Sequence, residues 1–293
     1  MRRLPLVLLL AVFSLGVQSA HALPLPQKIK SWPAWSNAFA PEIAPSVAGQ
    51  VDFGAIVALD NCSGSLVRFE TSIGTDQAMV LTNGHCLGGG FLPAGTAVSN
   101  KPATRSFRLL SRDGKTTLGR LNATRIIYGT MTGTDMALYG LRETFDEIEK
   151  KFGTTALTMS SARPKDGRKI AVASGYWKKI YSCSIDRFIF ELRESNWTWN
   201  DSIRYTQPGC ETIGGTSGSP VIDAETREVV GVNNTGNEDG ENCTMNNPCE
   251  VDANGNTSVH HKASYGQQTF WIYGCLGQGN ELQLERPGCK LTK

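Results

Sequence analysis

The chain has 293 residues, with 29 Lys+Arg against 27 Asp+Glu and a formal net charge of +2. That length accommodates one large β domain or two small ones. The near-neutral balance argues against nucleic acid or an anionic membrane as the main partner.

Residues 1–22 read as a secretory signal peptide. Arg2 and Arg3 form a positive start, Leu4 to Val17 is mostly apolar, and Ala20-His21-Ala22 fits a small-x-small cleavage site before Leu23. The apolar run is short for a membrane span, which needs about 20 residues. Its removal takes two arginines and no acid, so the mature chain is close to neutral and carries no expected membrane attachment. The expected location is secreted, periplasmic or extracellular. All eight cysteines lie beyond this segment, and export with an even count implies disulfides. The alternative is zinc held by Cys243 and Cys249 with His260 and His261, but their spacing matches no common zinc pattern.

Residues 23–46, rich in Pro and Ala with Trp32 and Trp35, read as an N-terminal extension or propeptide. From Val51 onward, short apolar runs alternate with turns. Strands are predicted at 55–59, 65–69, 78–82, 106–110 and 124–128, then a polar, helix-prone connector over Phe145 to Phe152. Strands resume at 169–174 and 187–192, and 220–223 with 228–232 reads as a hairpin. Residues 237–258, rich in Asn, Gly, Asp and Glu, read as a long loop. Within it Asp252-Ala253-Asn254-Gly255-Asn256 resembles the start of a calcium loop, but Ala263 stands at its twelfth position, where a bidentate Glu is needed. A solvated loop is the better reading. Phe270 to Tyr273 reads as a final buried strand. Many short strands at close spacing make the chain all-β, a barrel or a sandwich.

The most informative stretch is Gly214-Gly215-Thr216-Ser217-Gly218-Ser219-Pro220. Its glycines permit a turn that exposes a serine hydroxyl and aims backbone N–H groups at one point, as a nucleophile beside an oxyanion hole requires. A serine needs a base, and Leu81-Thr82-Asn83-Gly84-His85-Cys86 supplies a histidine. Asp135-Met136-Ala137-Leu138 supplies an acid between them in chain order.

These three segments resemble the trypsin/chymotrypsin-like serine peptidases, the bacterial secreted members above all. There the histidine sits in T-A-A-H-C, the acid in D-[IL]-A-[LV] and the serine in G-[DN]-S-G-[GS]-P. The resemblance covers roughly residues 47–236. It implies two antiparallel Greek-key β-barrels, 47–150 and 151–293, with the active site in the cleft between them. It implies a secreted endopeptidase acting through an acyl-enzyme on a protein or peptide substrate. Ser217 would be the nucleophile, His85 the general base and then acid, Asp135 the orienting acid, and the backbone N–H groups of Gly215 and Ser217 the oxyanion hole. That chemistry requires no metal or organic cofactor, and a monomer is expected. Competing readings are a catalytically silent binding protein on the same scaffold and an esterase-biased hydrolase.

The resemblance also pairs Cys62 with Cys86, closing a loop that contributes roughly 3 kcal/mol in the chain-entropy model. Cys275 with Cys289 would close the C-terminal tail. Cys183, Cys210, Cys243 and Cys249 stay unpaired at this level. Thr216 stands where digestive enzymes carry an Asp that pairs with a newly cut N-terminus, so that activation switch is expected to be absent. Glu211 stands where trypsin-like enzymes carry the acid of the substrate pocket. The local cysteine spacing differs, which favours a solvated loop residue. Thr212 matches a pocket residue of glutamate-specific relatives, but Asn233 replaces the histidine they need. Asn233, Asn234 and Thr235 are expected to line the pocket wall.

Overall fold

The computed structural model describes residues 51–293. The expected signal peptide (1–22), the extension (23–46) and the first four residues of the 47–150 segment lie outside the described residues. No helix among the described residues is long and apolar enough to cross a membrane.

Seven strands come first: β1 Ile56–Ala58, β2 Ser63–Arg68, β3 Gln77–Thr82, β4 Ala97–Pro102, β5 Ser106–Leu110, β6 Thr117–Thr130 and β7 Met136–Thr144. They pair antiparallel in the order β1-β5-β6-β7-β3-β2, and β1 returns to β2, so six strands close a barrel. Closure removes the free edges an open sheet would expose. Alternation builds the inside: on β5, Phe107 and Leu109 are fully buried while Ser106 and Arg108 face outward. The sequence reading missed β4, an edge strand whose Ser99-Asn100-Lys101-Pro102 half is exposed and carries no apolar alternation.

The connector is helix α1, Phe145–Phe152. The Thr144 hydroxyl caps it by accepting from the Glu147 N–H, and the Glu147 carboxylate accepts from the Thr144 N–H at 2.8 Å. Gly153 ends it in the left-handed conformation, and Phe145 and Ile148 bury its inner face.

A short β8, Leu157–Thr158, then runs parallel to β2. The second half has β9 Lys169–Ser174, β10 Lys179–Glu194, β11 Trp197–Tyr205, β12 Pro220–Asp223, β13 Val229–Gly236, β14 Cys249–Val251, β15 Thr257–Ser258 and β16 Ser264–Gln268. Its order is β11-β16-β13-β12-β9-β10, and β10 pairs back to β11, closing a second ring. β14 and β15 extend from β10, so the 237–258 segment is only partly loop.

Two expectations near the C-terminus need correction. Phe270 to Tyr273 is not a strand but part of a 3-10 turn, Phe270–Cys275. Its three-residue period turns Ile272 and Cys275 together into the core of the first barrel, where a strand would have sent them to opposite faces. The last strand is instead β16, Ser-Tyr-Gly-Gln-Gln, fully buried yet polar. Its Gln267 amide exchanges hydrogen bonds with the Ser202 hydroxyl of β11 at 3.0 and 3.2 Å, and Gln268 donates to the Asp201 carbonyl at 2.6 Å. Side-chain amides bonded across the sheet can fill a core position that hydrophobic patterning does not reveal, although Gln268 Oε1 finds no partner among the described residues.

Four disulfides join Cys62–Cys86, Cys183–Cys210, Cys243–Cys249 and Cys275–Cys289. The bridge between Cys243 and Cys249 takes both sulfurs out of any zinc site. The Asp252 carboxylate is likewise used up locally, accepting from the N–H groups of Asn254 and Asn256 and from the Asn256 amide.

Candidate active site

β3 delivers Asn83-Gly84-His85-Cys86 to one end of the first barrel, and the Cys62–Cys86 bridge ties that segment to the start of β2. Asp135 lies just before β7, 1% exposed. Its Oδ2 is 2.7 Å from His85 Nδ1, its Oδ1 accepts the His85 backbone N–H at 3.1 Å, and its carbonyl accepts from the Asn83 amide at 2.8 Å. A carboxylate only accepts, so Nδ1 carries the proton and Nε2 presents a lone pair. Burial opposes the charged ring, but the Asp135 charge and its hydrogen bond, with a smaller contribution from Glu194, outweigh it. The His85 pKa is raised above the ordinary 6.5.

The serine comes from the second barrel. The turn that carries it is held from both sides. Ser63 N–H donates to the Ser217 carbonyl at 2.8 Å, and the Ser63 hydroxyl donates to the Gly215 carbonyl at 3.2 Å, so β2 of the first barrel grips the loop. Gly218 N–H donates to the Asn233 carbonyl at 2.9 Å, and Asn233 N–H donates to the Ser219 carbonyl at 2.8 Å. Trp177 Nε1–H reaches the Gly214 carbonyl at 2.8 Å. Two positions require glycine. Gly218 has φ +80°, and a Cβ there would collide with the Thr82 hydroxyl and the Ser63 carbonyl. Gly215 has φ +88°, and a Cβ would lie 2.9 Å from the Tyr176 ring. Among the described residues, neither the Gly215 nor the Ser217 N–H donates to a backbone carbonyl. The Ser217 hydroxyl donates to the Asn234 carbonyl at 3.3 Å.

His85, Asp135 and Ser217 line one solvent-open cavity of about 90 Å³. With a histidine, a carboxylate hydrogen-bonded to its ring and a serine in a glycine-bound turn on its wall, the arrangement suits acyl transfer. The family model of the trypsin-like peptidase domain matches residues 62–232, more than half of the chain and all three of these residues. The chain belongs to the trypsin-like peptidase family. It is a serine-type peptidase, and its substrates are proteins or peptides.

Three solved structures illustrate the fold likeness of this peptidase. The MamO protease domain of Magnetospirillum magneticum is 14% identical, with a TM-score of 0.47 over 78% of this chain and 99% of that one. A thermostable serine protease, AL20, from an extremophilic microorganism is 16% identical, TM-score 0.43, over 75% and 93%. The active form of Rv3671c from M. tuberculosis is 14% identical, TM-score 0.43, over 81% of each. No curated protein sequence matches the chain. The family assignment rests on the sequence match to residues 62–232.

Of the expected pocket residues, Thr212, Asn233, Asn234 and Thr235 line the cavity of this peptidase. Glu211 does not. Cys210 is buried by its bridge to Cys183, and the next residue turns out to solvent. Besides Asp135, the acids on the wall are Glu194, 5% exposed at the end of β10, and the exposed Glu238. Phe91, Trp197, Trp199, Met245 and Asn246 join them there. None carries a motif; they come from three separate segments. No strand was expected over 197–205; the alternation Trp197-x-Trp199 could have signalled a strand face, but not the cleft it faces. Neither His260 nor His261 lines this cavity: His260 Nε2 is 3.4 Å from Glu250 Oε2, and His261 Nε2 is 3.1 Å from the carbonyl of the lining residue Glu238. Among the described residues, the one His/Cys/carboxylate group with metal-ligand spacing is Cys62, His85 and Cys86, whose sulfurs are bridged to each other.

Proposed function

We propose that this peptidase is an exported endopeptidase that cuts peptide bonds through an acyl-enzyme on Ser217. The observation that carries this reading is the His85 ring, whose Nδ1 is occupied by Asp135 at 2.7 Å while the ring lines the same cavity as Ser217. The Ser217 hydroxyl swings from the Asn234 carbonyl toward His85 Nε2, as catalytic hydrogen bonds often tighten only once substrate is bound. Ser217 Oγ attacks the carbonyl carbon of the scissile bond, and Nε2 takes its proton. The carbonyl oxygen becomes an anion that the Gly215 and Ser217 N–H groups receive. The C–N bond then breaks, and His85 returns the proton to the leaving amine. Water, deprotonated by the same Nε2, attacks the acyl carbon and frees Ser217.

The reading includes a loop that forms without a charged activation pair. Thr216 is 2% exposed; its hydroxyl donates to the Ile213 carbonyl at 2.5 Å and accepts from the Asn233 amide at 3.2 Å. Neutral partners thus satisfy the position where a charge switch would need a new N-terminal ammonium. Four disulfides and the N-terminal sequence support export.

The test is pre-steady-state kinetics with an activated ester and with an unstructured protein substrate, using chain that begins at Leu23. The expected result is a burst of one acyl group per chain followed by slower turnover, with no trimming near residue 47. A linear time course without a burst counts against a Ser217 acyl-enzyme that accumulates. Activity only after trimming counts against the uncharged loop.

A further inference from the structure

One more buried carboxylate lines the cavity than the mechanism uses. Glu194 Oε2 accepts the Thr235 hydroxyl at 2.5 Å, and Oε1 accepts the Asn246 N–H at 2.9 Å. Both partners are neutral. Burial pushes the Glu194 carboxyl up and the Asp135 charge adds to that, while the two hydrogen bonds and His85 pull against it. The cavity wall carries the carboxylates of Asp135, Glu194 and Glu238 and no Lys or Arg among the described residues. A carboxylate withdrawn from water without a cation is unfavourable, and a cationic ligand relieves that cost.

A second acceptor lies on the same wall. The Thr216 proton goes to the Ile213 carbonyl, so the Thr216 oxygen receives the Asn233 Nδ2–H, which fixes the orientation of that amide. Asn233, 1% exposed, is left with an Oδ1 that no donor reaches among the described residues. Beside these acceptors stand the rings of Trp197 and Phe91, edge to face at 5.5 Å between centroids, with Phe91 in turn 6.1 Å from the His85 ring. Such rings accommodate an aliphatic stem and attract a cation at its end. Buried acceptors, net negative charge and aromatic faces fit a long side chain ending in a cluster of N–H donors; one unpartnered donor, Asn234 Nδ2, also belongs to this wall.

We propose that Glu194 is a specificity-determining residue, selecting substrates that present a lysine or arginine side chain on the acyl side of the bond to be cut. The inference rests on the Ser217 reading above. It moves the acid of the cleft from the segment before the serine, where Glu211 is exposed, to the β10–β11 hairpin of the same barrel.

The test compares fluorogenic peptides carrying Arg, Lys, Gln or norleucine at each of the four acyl-side positions. A charge-assisted hydrogen bond implies roughly a tenfold to hundredfold advantage in kcat/KM for Arg or Lys over norleucine at one position. In Glu194→Gln that ratio should fall toward one, and Glu194→Asp should retain part of it. Labelling of Ser217 by an organophosphorus reagent in the same preparations reports acylation separately. A wild type that labels but shows no cationic preference at any position overturns the inference alone, as does a preference unchanged in Glu194→Gln. A wild type that does not label overturns the Ser217 reading and the inference with it. A further measurement needs no variant: butylguanidinium should compete with substrate while uncharged pentanamide does not, and equal inhibition by the two overturns the proposal.

Discussion

The two sides of the cleft are built on different principles. On the first-barrel side, His85 and Asp135 are fixed by a few strong contacts: a carboxylate gripping both the ring and the backbone of His85, the Asn83 amide on the Asp135 carbonyl, and the Cys62–Cys86 bridge. On the second-barrel side, the 213–219 turn is held by many modest hydrogen bonds from both barrels and by two glycine positions that admit no side chain. The difference teaches where each side is vulnerable. The first is expected to lose function when one charge is removed. The second is expected to lose it when the backbone is pushed out of place, even with every named side chain intact.

That contrast can be broken or sharpened by substitution. The largest effect is expected from His85→Ala, which removes the proposed base and should lower kcat by about 10⁶. Asp135→Asn keeps the shape of the first side but not its charge, and about a 10⁴-fold loss in kcat is expected. Gly215→Val strikes the second side through the backbone alone. It forces a β-branched residue to φ +88° against Tyr176, and a loss of about 10²–10³ in kcat with unchanged reactive side chains is expected. Wild-type turnover in Gly215→Val would mean that the second side tolerates backbone displacement, contrary to the comparison.

The pH profile probes the same asymmetry. A histidine can act as a base only when neutral, and the His85 pKa is raised. The kcat/KM of the wild type should therefore climb with pH through an ionisation above 6.5. Removing the negative charge in Asp135→Asn should move that limb to lower pH, and an unmoved limb would detach Asp135 from the His85 proton. The smallest effect belongs to a site remote from both sides. Thr144→Ala deletes the cap of α1, and thermal denaturation should register about 1 kcal/mol of lost stability with kcat unchanged.

Much of the fold was legible because β5 or β12 carries its apolar residues locally. β16 was not, since its buried Gln267 and Gln268 bond to Ser202 and Asp201 of β11, far away in sequence, and its Ser264 accepts from the Thr212 N–H. Phe270–Cys275 misled for the complementary reason: a run of large apolar residues reads as a strand, and only the first-barrel core decides that a three-residue period packs better. The site divides along the same line. His85, Asp135 and Ser217 stand in short motifs that can be read in place. Glu194, Trp197 and Met245 reach the cavity only because the β10–β11 hairpin and the Cys243–Cys249 loop fold toward it, and no local pattern encodes that meeting. Glu211 is the converse, an acid at the expected spacing that the Cys183–Cys210 bridge leaves facing solvent.

The central claim is that Ser217 is a nucleophile activated by His85. Mass mapping of the chain after treatment with an organophosphorus serine reagent tests it most directly. The account requires a single adduct on Ser217, absent in Ser217→Ala and formed far more slowly in His85→Ala. No adduct, an adduct on another serine, or one formed at the same rate without His85 would contradict it.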